Sequence, residues 1–159
     1  MSTIDPQRLM RMAIDRAHVG IVAGQTPFGC AIALGDRIVA AAHNCVWSTV
    51  DITAHAEITA IRLACKEVGQ IHLTGAIVAS TCEPCPMCMS ALHWARVAKV
   101  YYGATIADAA AVGFNEAVLA AADLVRLGQS PVQLEAGLLA DECRALLATW
   151  RSSAAAQAY

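Results

Sequence analysis

The sequence predicts an α/β protein: a three-layer α/β/α sandwich around a central mixed sheet of about five strands. Three observations lead there. Segments with apolar residues at helical spacing alternate with short apolar runs of strand length. Two of those runs flank Gly35-Asp36 and read as a hairpin, hence antiparallel. Two later runs are joined through a helix, which makes them parallel and puts helices on the sheet's faces.

The elements follow in order. Asp5-Pro6 is an N-cap followed by a proline at the first helical position, and Leu9, Met10, Ala13, Ile14, Ala17 and Ile21 repeat at helical spacing within residues 1–25. Phe28 to Leu34 and Arg37 to His43 are the hairpin strands. Ala54 to Val68 is helical, with Ile58, Ile61, Leu63, Ala64 and Val68 on its apolar side and Gly69 as C-cap, so His55 and Glu57 fall in its first turn. Ala76 to Ala79 is a buried strand, and a helix runs from about Pro84 through Trp94 with Cys85 and Cys88 in its first turn. Lys99 to Tyr102 is the next strand. The Ala-rich stretch Ile106 to Leu127 is weakly patterned and holds one helix, Pro131 to Glu135 forms an edge strand, and Leu138 to Trp150 is a last amphipathic helix. No internal repeat, low-complexity tract or linker interrupts the chain, so residues 1–159 read as one domain.

Composition narrows the function classes. A formal net charge of -2 and a pI near 6.2 give no electrostatic reason to expect a nucleic-acid or membrane partner. No signal-like apolar core opens the chain and no run of some 18 apolar residues follows, so the expectation is a soluble, cytoplasmic protein. The 57% hydrophobic fraction and mean hydropathy of +0.50 are high for a small soluble domain and suggest a subunit interface. Of the seven cysteines, Cys30, Cys45, Cys65, Cys82 and Cys143 read as small buried hydrophobes without assigned function.

The other two cysteines belong to a motif. His55-Ala56-Glu57 and Pro84-Cys85-Pro86-Met87-Cys88 supply one imidazole and two thiolates, with a carboxylate beside the imidazole that is not needed as a ligand. Three protein ligands with a fourth position left to water is the count of a catalytic zinc site, whereas structural sites close with four. The spacing H-x-E followed by P-C-x-x-C is the signature of zinc-dependent nucleobase and nucleoside deaminases. Either half alone is weak, since a lone C-x-x-C also serves as a redox pair or a pair of buried thiols.

Beyond these signatures, Pro27-Phe28-Gly29, Asn44, the run Thr53 to Arg62 and the run Thr81 to Cys88 resemble the cytidine deaminase-like superfamily, over nearly the whole chain. Within it the sequence looks most like the bacterial guanine deaminases, a branch related to the bacterial tRNA adenosine deaminases. Trp94-Ala95-Arg96, the run Asp108 to Glu116, and the stretch from Trp150-Arg151 to Tyr159 carry that narrower resemblance.

The resemblance implies a Zn2+ cofactor on His55, Cys85 and Cys88, with Glu57 as the proton shuttle. It implies that Asn44 hydrogen-bonds the base, that Phe28 and Trp94 line its pocket with Ala56 in contact, and that Glu116 serves substrate binding and proton transfer to the departing amine. The implied reaction is hydrolysis of free guanine to xanthine and ammonia. In guanine deaminases the C-terminal segment, here about 137–159, can swap between the subunits of a homodimer and close the partner's site, which would give Tyr159 a function. Plainer roles stay open: Asn44 as a turn residue, Phe28 and Trp94 as core aromatics, Glu116 as a helix-start acid, Tyr159 as a frayed end. His43 and His93 read as structural.

Two departures stand out. Ile52 occupies the place where the family commonly has Pro, so the loop before the zinc helix is expected to be less rigid. Glu116 stands where some guanine deaminases have Asp. Adenosine in tRNA, cytosine, guanosine and triazine-like amines are alternative substrates, and a non-catalytic zinc-binding module is a more remote reading. Against RNA, residues 100–159 hold only Arg126, Arg144 and Arg151 as basic residues beside six acids. Against the module, a purely structural site does not need Glu57.

Overall fold

A computed structural model describes residues 4–159; the first three positions of the N-terminal segment lie outside the described residues. The N-terminal helix α1 (Pro6–Val22) starts where Asp5 accepts a hydrogen bond from Gln7 N at 3.1 Å. The hairpin β1 (Gly29–Leu34) and β2 (Arg37–His43) follows, then a one-turn helix α2 (Val46–Thr49) that the sequence did not signal. Helix α3 (Ala56–Val68), strand β3 (Ile77–Cys82), helix α4 (Pro86–Trp94) and strand β4 (Lys99–Ala104) form the centre. Helices α5 (Ile106–Ala111) and α6 (Ala121–Leu127), strand β5 (Gln133–Ala136) and helix α7 (Ala140–Arg151) complete the chain.

The sheet order is β2-β1-β3-β4-β5. β1 pairs antiparallel with β2 and β3, while β3–β4 and β4–β5 are parallel. The mixed five-stranded α/β architecture is the expected one. Helix α1 packs across β1, β2 and β3, and α7 packs on β4; α3 covers β2 and β1, with α4 beside it.

Two glycines set how closely helices approach the sheet. A Cβ on Gly29 would collide with Ala13 O and Ala17 N of α1, and one on Gly103 with the Cys143 thiol of α7. Backbone and helix therefore touch directly, as the absence of a side chain permits.

Two expectations need correction. The face of α3 turned to the sheet is the alanine stripe Ala56, Ala60 and Ala64, each fully buried, whereas Leu63 is exposed and Ile58 and Ile61 only half-buried. Small residues four apart let the helix sit close to β1 and β2, so the larger apolar residues were displaced outward. The stretch 106–127 holds two short helices rather than one. Thr105 and Asp108 form a reciprocal capping box that starts α5, and Gly113, at φ 108°, sits in the turn after it. The connection from Val112 to Ala120 is then free to loop over the ends of β3 and β4, pinned by buried Phe114.

Candidate active site

His55 and Cys85 are not inside the first turns of their helices but at the N-caps of α3 and α4, with extended backbone (φ/ψ -62/160° and -63/167°). Neither side chain caps its helix. Both turn toward each other instead. His55 Nδ1 lies 3.7 Å from Cys85 Sγ and 3.5 Å from Cys88 Sγ, and the three ligand atoms fall within 4.8 Å of one another. Ligands of a tetrahedral zinc, at about 2.3 Å for sulfur and about 2.0 Å for nitrogen, are themselves roughly 3.5–3.8 Å apart. The two His55–cysteine separations match that ion.

The thiols show how the site takes a cation. Accepting a hydrogen bond from Cys88 holds the Cys85 thiol down to about 4, with His55 adding to the effect, while donating that bond and being buried push Cys88 well up. A cation bound between the two sulfurs favours the thiolate form of both.

Glu57, at the second position of α3, is buried and points under the ligands. Ser80 Oγ, near the end of β3, donates to Glu57 Oε1 at 3.0 Å, and burial raises the carboxyl's pKa. Ala56, fully buried at the first position of α3, offers only backbone to a substrate, from a helix start whose amides lack intrahelical partners.

Asn44 is fully buried at the end of β2. Its Oδ1 accepts from Val46 N at 3.0 Å and its Nδ2 donates to the Tyr159 hydroxyl at 2.6 Å. That arrangement fixes the amide as a hydrogen-bond donor toward the pocket. Phe28 stands edge-on to Phe114 with ring centroids 4.8 Å apart, and Phe114 in turn stacks on buried Trp150 at 4.9 Å. Tyr159 lies 5.5 Å from both the His55 and Phe114 rings, and Trp47 Nε1 donates to Gln157 O at 3.0 Å, holding the tail in place.

Two connected spaces result. An outer cleft of about 360 Å³ is lined by Ile52, His55, Pro86, Met87, Phe114 and Glu116, among others. An inner chamber of about 20 Å³ lies among Phe28, Asn44, His55, Glu57, Glu116 and Tyr159, room for about one water. Glu116 faces both, and burial pushes its carboxyl up to about 6. Ile52 is exposed at the mouth, and its loop is held by Asp51, whose carboxylate accepts from Thr53 N and Oγ1 at 2.8 and 2.7 Å. That Asx turn supplies a constraint a proline would otherwise give.

The structure therefore gathers His55, Ala56, Glu57, Cys85, Cys88, Phe28, Asn44, Glu116 and Tyr159 at one place. Trp94 is the exception and corrects the expectation for a single chain. It sits at the last position of α4, about 13 Å along the helix from Cys85, 77% exposed, and lines neither space. Conversely, Ser80, Glu83 and Phe114 gained no role from the sequence. For Ser80 and Glu83 the signal was polarity where β3 meets the cysteine motif, after an apolar run, and Phe114 lay within the run Asp108 to Glu116 without a role of its own.

Fold and site together define the class, and comparison with known proteins agrees. Residues 3–104 match the cytidine and deoxycytidylate deaminase zinc-binding region, and the chain belongs to that family: it is a zinc-dependent aminohydrolase. Within the family it is like the guanine deaminases. It is 42% identical over 114 residues to guanine deaminase of Bacillus subtilis (strain 168), a match covering 71% of this chain and 73% of that one. The solved structure of a guanine deaminase from Nitrosomonas europaea superposes over 96% of this chain and 88% of its own with a TM-score of 0.88 at 26% identity. A tRNA-specific adenosine deaminase of Agrobacterium fabrum is 40% identical over 95 residues, 60% of this chain and 62% of that one.

Proposed function

We propose that the chain hydrolyses the amino group of free guanine, giving xanthine and ammonia. The observation that carries this reading is Asn44. Its Oδ1 is occupied by Val46 N, so it presents only Nδ2, a donor, to the chamber. Guanine offers acceptors at O6 and N7, whereas adenine sets an amine where guanine has O6. The similarity to two guanine deaminases points the same way.

The residues then divide the work. A zinc held by His55, Cys85 and Cys88 would bring the pKa of its water to about 7 and so supply a nucleophile at neutral pH. Glu57, steadied by Ser80, accepts the water's proton as the oxygen adds to carbon 2 of guanine and delivers it to the adjoining ring nitrogen. Burial raises the Glu116 carboxyl to about 6, so a fraction is protonated near neutral pH; that form gives its proton to the amine as the carbon–nitrogen bond breaks, and the carboxylate recovers one from the carbon-2 hydroxyl as the carbonyl forms. Phe28 and Phe114 wall the ring from solvent. Tyr159, now bonded to Asn44, yields its place as the base enters and closes the cleft behind it.

The tail here folds onto its own chain's site. In a homodimer the same contacts would be kept if segment 137–159 were exchanged between subunits, and the exposed apolar residues Leu63, Ile71, Trp94 and Leu127 supply a surface for pairing.

The test is ammonia release by zinc-loaded protein from guanine, guanosine, adenine, cytosine and an adenosine-containing tRNA anticodon stem-loop. Turnover of guanine well above the others is expected, and Glu57→Gln should bind zinc yet lose turnover by at least 10³-fold, the scale of a lost proton-transfer group. Preference for the stem-loop would replace this reading with RNA editing.

A further inference from the structure

Between the ligand loop and the loop that carries Glu116 lies a carboxylate that no step of the reaction uses. Glu83, two residues before Cys85, accepts from Ile106 N through Oε2 at 3.1 Å and from Ala121 N through Oε1 at 2.9 Å. These amides are the first of α5 and α6. The two helices bracket the 112–120 connection, which has no strand or helix of its own and brings Glu116 to the chamber. Glu83 is itself fixed, because its backbone N–H donates to Ala104 O at 2.8 Å at the end of β4. One carboxylate thus ties the starts of the two helices that flank the Glu116 connection to the strand that leads into the cysteine motif.

We propose that Glu83 is a positioning residue for Glu116: by clamping the starts of α5 and α6 it sets where the second carboxyl stands relative to the metal-binding side chains. This rests on the reading that Glu116 handles the leaving amine's proton. The geometry favours positioning over simple surface capping for two reasons. Both oxygens are used, each on a different helix, so the side chain measures a distance between elements rather than serving one end. The tether also starts two residues from a ligand, so the metal pocket and the Glu116 loop share a single rigid frame.

Chemistry makes the tethers separable. Glutamine keeps one acceptor oxygen but turns an NH2 toward the other backbone N–H, so Glu83→Gln releases one helix start; Glu83→Ala releases both. The first readout needs no substrate: amide hydrogen exchange across 105–121 in the zinc-loaded protein. Exchange there is expected to quicken at least tenfold in Glu83→Gln and more in Glu83→Ala, with zinc stoichiometry unchanged. The second is steady-state ammonia release from guanine, or from whichever base of the panel turns over fastest, in a double-mutant cycle with Glu116→Gln. Glu83→Gln is expected to lower kcat at least tenfold with KM moved less than threefold, and to add less than twofold once Glu116 is already glutamine. Equal losses in both backgrounds, or unchanged exchange over 105–121, would overturn the proposal while leaving the role of Glu116 intact. A silent Glu116→Gln would remove both.

Discussion

Asn44 shows how much of recognition depends on a neighbour that never touches substrate. Because Val46 N holds Oδ1, replacing Asn44 with Asp leaves that bond in place and turns a second acceptor into the chamber. Asn44→Asp is therefore expected to lower kcat/KM for guanine by about 100-fold, the worth of a buried hydrogen bond made unfavourable, with little change in melting temperature; steady-state kinetics and calorimetry check the two halves. Glu116 gives a pH-dependent counterpart. Burial raises its carboxyl to about 6, above the unfolded value of about 4.3. The sign follows: its contribution to folding is full below about pH 4.3 and is lost as pH rises through 6, leaving a penalty at neutral and alkaline pH. Urea unfolding of metal-free Glu116→Gln should therefore show a gain on the order of 1 kcal/mol at pH 8, after allowance for its partial exposure, and almost none at pH 4. At this scale the grouping of His55, Cys85 and Cys88 was legible in the sequence, since the two short motifs are each recognisable without the fold that brings them together. Ser80 and Glu83 were not, because what they do depends on which strand end meets which helix.

Among the elements, α3 and α4 carry His55 and Cys85 at their N-caps and Cys88 in the first turn of α4, and the sheet decides where those helix starts lie. The close seat of α1 on β1 depends on Gly29, whose N–H also donates to Thr81 Oγ1 at 3.0 Å. Gly29→Ala forces a methyl against the α1 backbone, so a loss of about 3 kcal/mol or more is expected in denaturant unfolding, and Phe28 next to it should shift enough to weaken substrate binding. Periodicity found every strand and the four long helices, because a strand's apolar run and a helix's repeat are local facts. It misjudged part of α3, where Leu63 faces outward, Ile58 and Ile61 are only half-buried, and alanines make the closest contact with the sheet. It also merged α5 with α6, since alanine-rich sequence carries a weak stripe and the break is set by a turn and by Glu83 from far along the chain.

At the scale of the whole molecule, Leu63, Ile71, Trp94 and Leu127 leave apolar surface on the side of α3, α4 and α6, and among the described residues no helix is long and apolar enough to cross a membrane. On the proposal that a second copy of the chain covers that surface, light scattering is expected to give twice the 16.7 kDa chain mass, and Trp94→Glu to shift it toward the monomer. A monomeric mass at all concentrations would refute the pairing. The order of the site along the chain has a further consequence. His55 to Cys88 form one uninterrupted stretch within the part matched to the family, whereas Glu116 and Tyr159 come from beyond residue 104. The cation-binding cluster and two of the groups that face the chamber are thus written in separate passages, so a change confined to the later one reshapes the chamber while leaving His55, Cys85 and Cys88 together.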